Sequence, residues 1–415
     1  KKTVSGLAAF AAGFVIAGWP LIETLSTGSN SGHIFMLGLS STFTSQLGIE
    51  PSFYDWGQTY HDSYNRYLIN VAAWINDNVT KALHISNHDY DVAGISYFLE
   101  IFRHFPGDFF LRFLASVKAN VNLFEIRGYN FGLFSYAVTA LAFLGLARRN
   151  LWAAGLTFVM LLYVAGYPSL LFRSSDRFFL SFIPVFAGGM IVQFLFTTLI
   201  ENNFSLWNKP AHSLIFCLRE SLILTSRNQI IFLVFALVSI LAPLWGLRAY
   251  QTYHLDAFLR PYWTAERQEL KVKSIHTENS MEIREYDFFH DPPIGVNEKR
   301  GMNIGFSYVV AEFDRKRCSK GTFDIEPRYD AKDPWHRFKR PMKVDLNKGE
   351  QRIRVFIPAL WYLNNTRLGS IALPAERSKC LVSVGRITQP KTLPVLMFMS
   401  MPDTWDSEKL YMGLK

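Results

Sequence analysis

Gln229–Leu247 reads QIIFLVFALVSILAPLWGL, and this stretch decides the class of the fold. It holds 19 residues and no Asp, Glu, Lys or Arg. A helix needs about 20 apolar residues to cross the hydrocarbon core. Only a helix satisfies its own backbone polar groups there as a single segment. Four more uncharged runs lie upstream: Val4–Ile22, Tyr129–Ala147, Leu151–Phe172 and Phe178–Ile200, of 19, 19, 22 and 23 residues. Core helices of soluble proteins seldom stay free of charge for so long, five times over. The sequence therefore predicts a membrane α-helical protein with about five transmembrane helices. Lys1-Lys2 ahead of Val4–Ile22 would suit a signal peptide. The run is too long for one, however, and Trp19-Pro20 stands where small residues would mark cleavage.

Composition agrees. The chain has 415 residues, 49% hydrophobic and only 19% charged, with a mean hydropathy of +0.10. Disordered, collagenous and disulfide-dense chains are excluded. The net charge of +9 is concentrated after residue 247, where 28 Lys+Arg face 21 Asp+Glu. An exported basic part above anionic head groups or glycan phosphates accounts for it, so no nucleic-acid partner is expected. The chain opens on Lys1 and is expected to be the C-terminal portion of a longer protein.

Cations set the expected topology. Lys1-Lys2, Arg148-Arg149 and the group Lys209, Arg219, Arg227 fall on one side if all five runs cross, and that side is read as cytoplasmic. The expected organisation is a transmembrane helix at 1–22, an exported, mostly helical loop at 23–128, four transmembrane helices with an inner amphipathic segment at 129–247, and an exported domain at 248–415. The lipid bilayer of the inner membrane is then the first partner.

Within the loop, Tyr64–Ile75, Ile95–Phe102 and Phe110–Val121 carry apolar residues at helical spacing. In the third, Phe109-Phe110 and Phe113-Leu114 oppose Arg112 and Lys118, a pattern suited to the membrane interface. After residue 300 the period changes. Asn303–Phe313, Thr322–Tyr329, Met342–Leu346, Gln351–Pro358, Ser370–Leu373, Lys379–Arg386 and Val395–Met401 are short runs rich in Val, Ile, Phe and Tyr, separated by turn signals. They predict an all-β antiparallel sandwich. Cys318 and Cys380 sit at strand edges, where an oxidising compartment permits a disulfide. Two separate buried thiols are the alternative.

The chain has no P-loop, Rossmann fingerprint, nucleophile elbow or zinc spacing. Two constellations of ionisable residues remain. Arg173, Asp176 and Arg177 fill a short connection between apolar runs, on the expected outer side, where cations are disfavoured. A guanidinium there can grip a lipid phosphate through two parallel hydrogen bonds, or simply snorkel to the head groups. The loop supplies His33, then Tyr54, Asp55, Trp56, His61 and Asp62. Rings beside carboxylates suit a sugar, and an Asp could take a proton from an acceptor hydroxyl. Helix capping by Asp62 and a turn at Asp55 are the plainer alternatives.

The order of these parts resembles the C-type, polyprenyl-phosphate-sugar-dependent glycosyltransferase superfamily of bacterial membrane proteins. Arg177-Phe178-Phe179 with Ile183-Pro184 is similar to the Arg-aromatic-aromatic…Pro element that opens a late membrane helix in many members. Gly32–Gly38 with Tyr54–Gly57 and Asp62 resembles their exported-loop sequence. The resemblance covers residues 1–247, and the superfamily's early acidic motif has no match here. It implies transfer of a sugar from a polyprenyl-phosphate carrier to an envelope glycan or protein. Arg173, Asp176, Arg177, His33, Tyr54 and Trp56 would bind substrate, and Asp55, His61 and Asp62 would stand near the transferred sugar. A divalent metal ion is compatible with these acids. The competing expectation is a membrane-anchored envelope protein that binds glycan or a partner and has no catalytic activity.

Overall fold

The structure is a computed structural model. It describes residues 31–40, 83–85, 87–122, 125–126, 129–130, 132–166, 182–201, 226–288, 304–331, 337–347, 352–362, 366–388 and 397–402, with positions 47, 54, 68–70, 72–73 and 180. The chain divides into two compact units. One comprises Phe43–Glu50 and Phe105–Gln251, the other Lys1–Thr42, Pro51–His104 and Thr252–Lys415.

The first unit is helical. Its elements are α3 (Pro106–Val121), the short strand pair β1 (Glu125–Ile126) and β2 (Tyr129–Asn130), α4 (Gly132–Arg149), α5 (Leu151–Gly166), α6 (Phe182–Glu201) and most of α7 (Arg227–Trp263). Pro106 opens α3 in the first turn, where a missing N–H costs nothing. The Asn150 side chain accepts from the backbone N–H of Ala153 and starts α5 one residue after α4 ends. Phe143, Phe158 and Phe232 form the centre of one apolar cluster, with ring centroids 5.7 to 5.8 Å apart.

The expectation of five transmembrane helices is not upheld. Among the described residues one helix, α7, is long and apolar enough to cross a membrane. Val4–Ile22 lies outside the described residues. Tyr129-Asn130, counted in the second run, belong to β2. In the third run the described helix, Leu151–Gly166, has 16 residues and extends about 24 Å at 1.5 Å each, short of a hydrocarbon core of about 30 Å; positions 167–172 lie outside the described residues. An uncharged run is not by itself a helix of spanning length. The sidedness counted from five crossings loses its basis with them.

The second unit holds α1 (Ser31–Ser40), α2 (His88–His104), the end of α7 and the strands. Gly32 and Gly94 meet where α1 crosses α2, and a Cβ at either would run into backbone of the other helix. The strands are β3 (Arg267–Glu269), β4 (Val272–Glu278), β5 (Met281–Tyr286), β6 (Ile304–Asp314), β7 (Thr322–Ala331), β8 (Phe338–Lys339), β9 (Met342–Asp345), β10 (Arg352–Tyr362), β11 (Thr366–Pro374), β12 (Leu381–Ile387) and β13 (Met399–Pro402). They form two antiparallel layers. One runs β3-β12-β6-β10-β13; the other runs β4-β5-β11-β7, with β8 and β9 on the free edge of β7. β10 and β11 make a hairpin that passes from one layer to the other. The β6–β10 ladder has eleven paired positions, from Arg352↔Asp314 to Tyr362↔Ile304.

Alternation explains the layering. Ile353, Val355 and Ile357 of β10 and Val309, Ala311 and Phe313 of β6 are buried between the layers. Phe313 meets Phe323 of β7 edge-on at 5.5 Å, and the Tyr329 hydroxyl donates to the Pro358 carbonyl at 2.6 Å. On the opposite face of the first layer, Tyr308 and Phe356 receive Tyr262 and Trp263 from the end of α7, at 5.9 and 6.1 Å. Helix α7 thus runs without a break from the apolar stretch to Trp263. Cys318 and Cys380, 62 positions apart in the sequence, are joined as a disulfide, with Cα atoms 5.4 Å apart. It ties the 3-10 turn Arg315–Arg317 after β6 to the 3-10 segment Ala375–Cys380 before β12.

Candidate functional site

Helix α3 carries a polar residue at every fourth position: Asp108, Arg112, Ser116 and Asn120. That spacing puts all four on one face. The face is turned inward, the four being 6, 1, 0 and 6% exposed, and Arg112 is the largest fully buried side chain among the described residues. The sequence pattern placed Arg112 on the outer, head-group side of an amphipathic helix. The structure reverses this, because α4, α5, α6 and α7 carry the apolar outer surface themselves. Leu133, Trp152, Leu156, Val185, Phe196 and Trp245 are 57 to 87% exposed.

Each end of the stripe is held by defined partners. Asp108 Oδ1 accepts from Arg248 Nη1 at 2.7 Å and from Gln251 Nε2 at 3.0 Å. Both donors lie on α7, one and four residues beyond the apolar run that ends at Leu247. At the other end Ser116 Oγ and Asn120 Nδ2 both donate to the Ala165 carbonyl, at 2.7 and 3.0 Å, near the end of α5. That carbonyl falls in the last described turn of α5 and receives two donors from α3. The stripe therefore sets a charged end, with two guanidinium groups and one carboxylate, against a neutral end bonded to α5.

The same unit contains a groove of about 240 Å³ between α4, α5 and α6. Thr139, Phe143, Leu161, Ile183, Phe186 and Met190 contribute to its lining, and the hydroxyls of Thr139 and Thr157 are the only polar side-chain groups among the lining residues.

A second cluster sits in the other unit. His104, 4% exposed, ends α2, and its Nε2 is 2.9 Å from Glu100 Oε1. Its ring stacks on Phe258 at 3.9 Å and on His254 at 4.8 Å. The other ring nitrogen, Nδ1, is buried with no hydrogen-bond partner among the described residues. Burial pushes the His104 pKa below its ordinary value and outweighs the hydrogen bond and charge of Glu100; the nearby His254 and Arg103 push the same way as burial. A neutral imidazole with its Nε2–H turned to Glu100 leaves Nδ1 as a bare acceptor.

Of the residues singled out in the sequence, Asp55, Trp56, His61, Asp62, Arg173, Asp176 and Arg177 lie outside the described residues. Tyr54 is buried, at 4%. His33 is equally buried, and its Nδ1 stands 2.7 Å from the Tyr90 hydroxyl. The neighbouring Gly32 N–H donates to Asp91 Oδ1 at 2.5 Å. His33 thus helps to fasten α1 to α2. Among the described residues no group of three or more His, Cys, Asp or Glu is arranged to hold a metal ion. In the sequence, Phe109-Phe110 and Phe113-Leu114 against Arg112 and Lys118 read as a membrane-interface pattern, and the four-residue polar repeat went unrecognised. No protein-family model, curated protein or solved structure matches the chain.

Proposed function

We propose that the chain is an integral membrane protein of the glycosyltransferase type, handling a lipid-anchored, phosphate-bearing sugar at the edge of the bilayer. The observation that carries this reading is on α7. Its apolar window has a mean hydropathy of 2.6 and is only 6% buried, and Arg248 and Gln251 follow the apolar run at once and grip Asp108. So much exposed apolar surface is costly in water and suited to lipid. Ionisable residues packed into the interior of such a unit mark functional positions by default.

Three further observations support it. A groove of about 240 Å³ is smaller than the roughly 300–1,000 Å³ of a site that engulfs a whole small molecule, and its apolar lining suits part of a hydrocarbon chain. The Cys318–Cys380 disulfide favours an oxidising, exported location for the strands. The resemblance of Arg177-Phe178-Phe179…Ile183-Pro184 and of the Gly32–Gly38 segment supplies the transfer chemistry, with Arg173 and Arg177 on the phosphate and Asp55, His61 or Asp62 by the sugar. An envelope glycan is the acceptor class.

The test is transfer of label from a polyprenyl-phosphate sugar to an envelope glycan fraction by the detergent-solubilised chain. Arg177→Ala should abolish it while leaving the thermal transition in place. Arg177→Lys keeps the charge, loses the bidentate fork, and should leave an intermediate rate. Alkaline carbonate extraction tests the membrane seat separately: the chain should stay in the pellet. Full transfer by a well-folded Arg177→Ala protein would remove the proposed role, and release into the supernatant would remove the membrane reading.

A further inference from the structure

The end of the β-layers that carries the disulfide has a composition of its own. Residues 314–320 and 375–380 bring Arg315, Lys316, Arg317, Lys320, Arg377 and Lys379 together against two carboxylates, Asp314 and Glu376. Both carboxylates are placed. Asp314 is 8% exposed and its side chain accepts from the Lys316 backbone N–H at 2.8 Å. Glu376 is 81% exposed and stands 3.8 Å from Arg377. Lys316, Arg317, Lys320 and Lys379 are exposed.

This end is also braced. The disulfide joins its two segments, and Arg377 Nη1 donates to both the carbonyl and the hydroxyl of Ser319 at 2.8 Å. Gly321, at φ +149, lets the chain turn from Lys320 into β7 in a conformation a side chain would resist. The cations are therefore presented on a fixed surface, which lowers the entropy lost when a partner binds them.

We infer that this braced basic tip is a docking surface for a phosphate-bearing glycan polymer. A polymer with repeating phosphates matches a spread of separate cations. The composition of the tip disfavours other anionic partners. It has no aromatic residue on which a nucleic-acid base could stack. None of the exposed large apolar side chains belongs to it, so nothing there would insert into a bilayer. The inference is independent of the transfer chemistry above and has its own readout.

The experiment measures binding of the full chain, held in neutral-lipid nanodiscs, to long-chain inorganic polyphosphate. A triple reversal, Lys316→Glu, Arg317→Glu and Lys320→Glu, should weaken binding at least tenfold and flatten its dependence on salt. All three side chains are exposed, so the thermal transition should not move. Lys273→Glu, an exposed cation on β4, serves as the control and should bind as the parent does. Cys318→Ser with Cys380→Ser should weaken binding less than the reversal, by loosening the brace. Undiminished binding of the reversed protein overturns the inference, as does an equal loss in the control. Loss of binding to phosphatidylglycerol vesicles with polyphosphate binding retained would assign the tip to a membrane surface and overturn it too.

Discussion

Asp108 and Gln251 bind each other twice: the Asp108 backbone N–H donates to Gln251 Oε1, and Gln251 Nε2 donates back to Asp108 Oδ1, both at 3.0 Å. The first adds a side-chain acceptor to an N–H that also donates to the Phe105 carbonyl at 3.1 Å. The second, with Arg248 at 2.7 Å, satisfies the carboxylate. Removing one member of a buried ion pair strands the other and costs about 3–5 kcal/mol. Asp108→Ala should therefore lower stability in detergent by that order, and Gln251→Ala by about 1.5–3 kcal/mol through the lost hydrogen bond to the Asp108 carboxylate. Thermal melts with a double-mutant cycle on Asp108 and Arg248 measure the coupling. Additive effects would mean that the pair is not a unit.

His104 gives a pH dependence with a defined sign. Its folded pKa is lowered chiefly by burial, so the unfolded chain binds the proton more readily. Stability is then full above the ordinary histidine value of about 6.5 and declines as pH falls from there toward the depressed one. Protonation would add a buried Nδ1–H without an acceptor among the described residues. The melting temperature should drop between pH 7.5 and 5.5. His104→Phe keeps the stack on Phe258 and should flatten that slope, and a slope unchanged by this substitution would place the titration elsewhere.

Gly32→Ala tests the α1–α2 crossing. The new methyl would meet the Asp91 carbonyl oxygen and the Ile95 backbone nitrogen, neither of which can swing aside as a side chain can. A cost of about 1–3 kcal/mol is expected from the overpacking. Limited proteolysis should then cut near residue 40 sooner than in the parent. Equal protection in both proteins would show the crossing to be loose.

The disulfide closes a long loop, its cysteines standing 62 positions apart in the sequence. Its removal by Cys318→Ser with Cys380→Ser should cost about 2–4 kcal/mol, most of it through a freer unfolded chain. Denaturant melts of the oxidised protein and the variant read this directly, and coincident curves would deny the bond any stabilising part.

Much of the β part was readable because alternation survives translation into structure. Ile353, Val355 and Ile357 turn inward between the layers as their spacing requires, and β6, β7, β9 and β12 fall within two residues of the runs that announced them. The outward-facing partners of the alternation were less readable. Phe356, on the outer face, is fully buried because Trp263 covers it, and a strand pattern holds no record of what covers its second face. The helical part failed differently. Hydropathy records how apolar a run is and not which of its residues are helical, and Tyr129-Asn130, inside an apolar run, belong to β2. Arg112 was misplaced because a charged stripe on an amphipathic helix ordinarily faces water, and here its neighbours invert the order.

The pairing of β3 with β12 bears on how the chain is made. Glu269, Gln268 and Arg267 find their ladder partners in Gly385, Arg386 and Ile387, which leave the ribosome more than a hundred residues later. Until then the first strand of its layer is an open edge, and the hairpin of β4 with β5 must wait for β11 as well. Long-range pairing of this kind is slow and leaves unpaired edges exposed in the meantime. Nascent chains halted before Leu381 should leave residues 267–269 open to protease, and chains that include Ile387 should protect them. Early protection would mean that another partner covers the edge during synthesis.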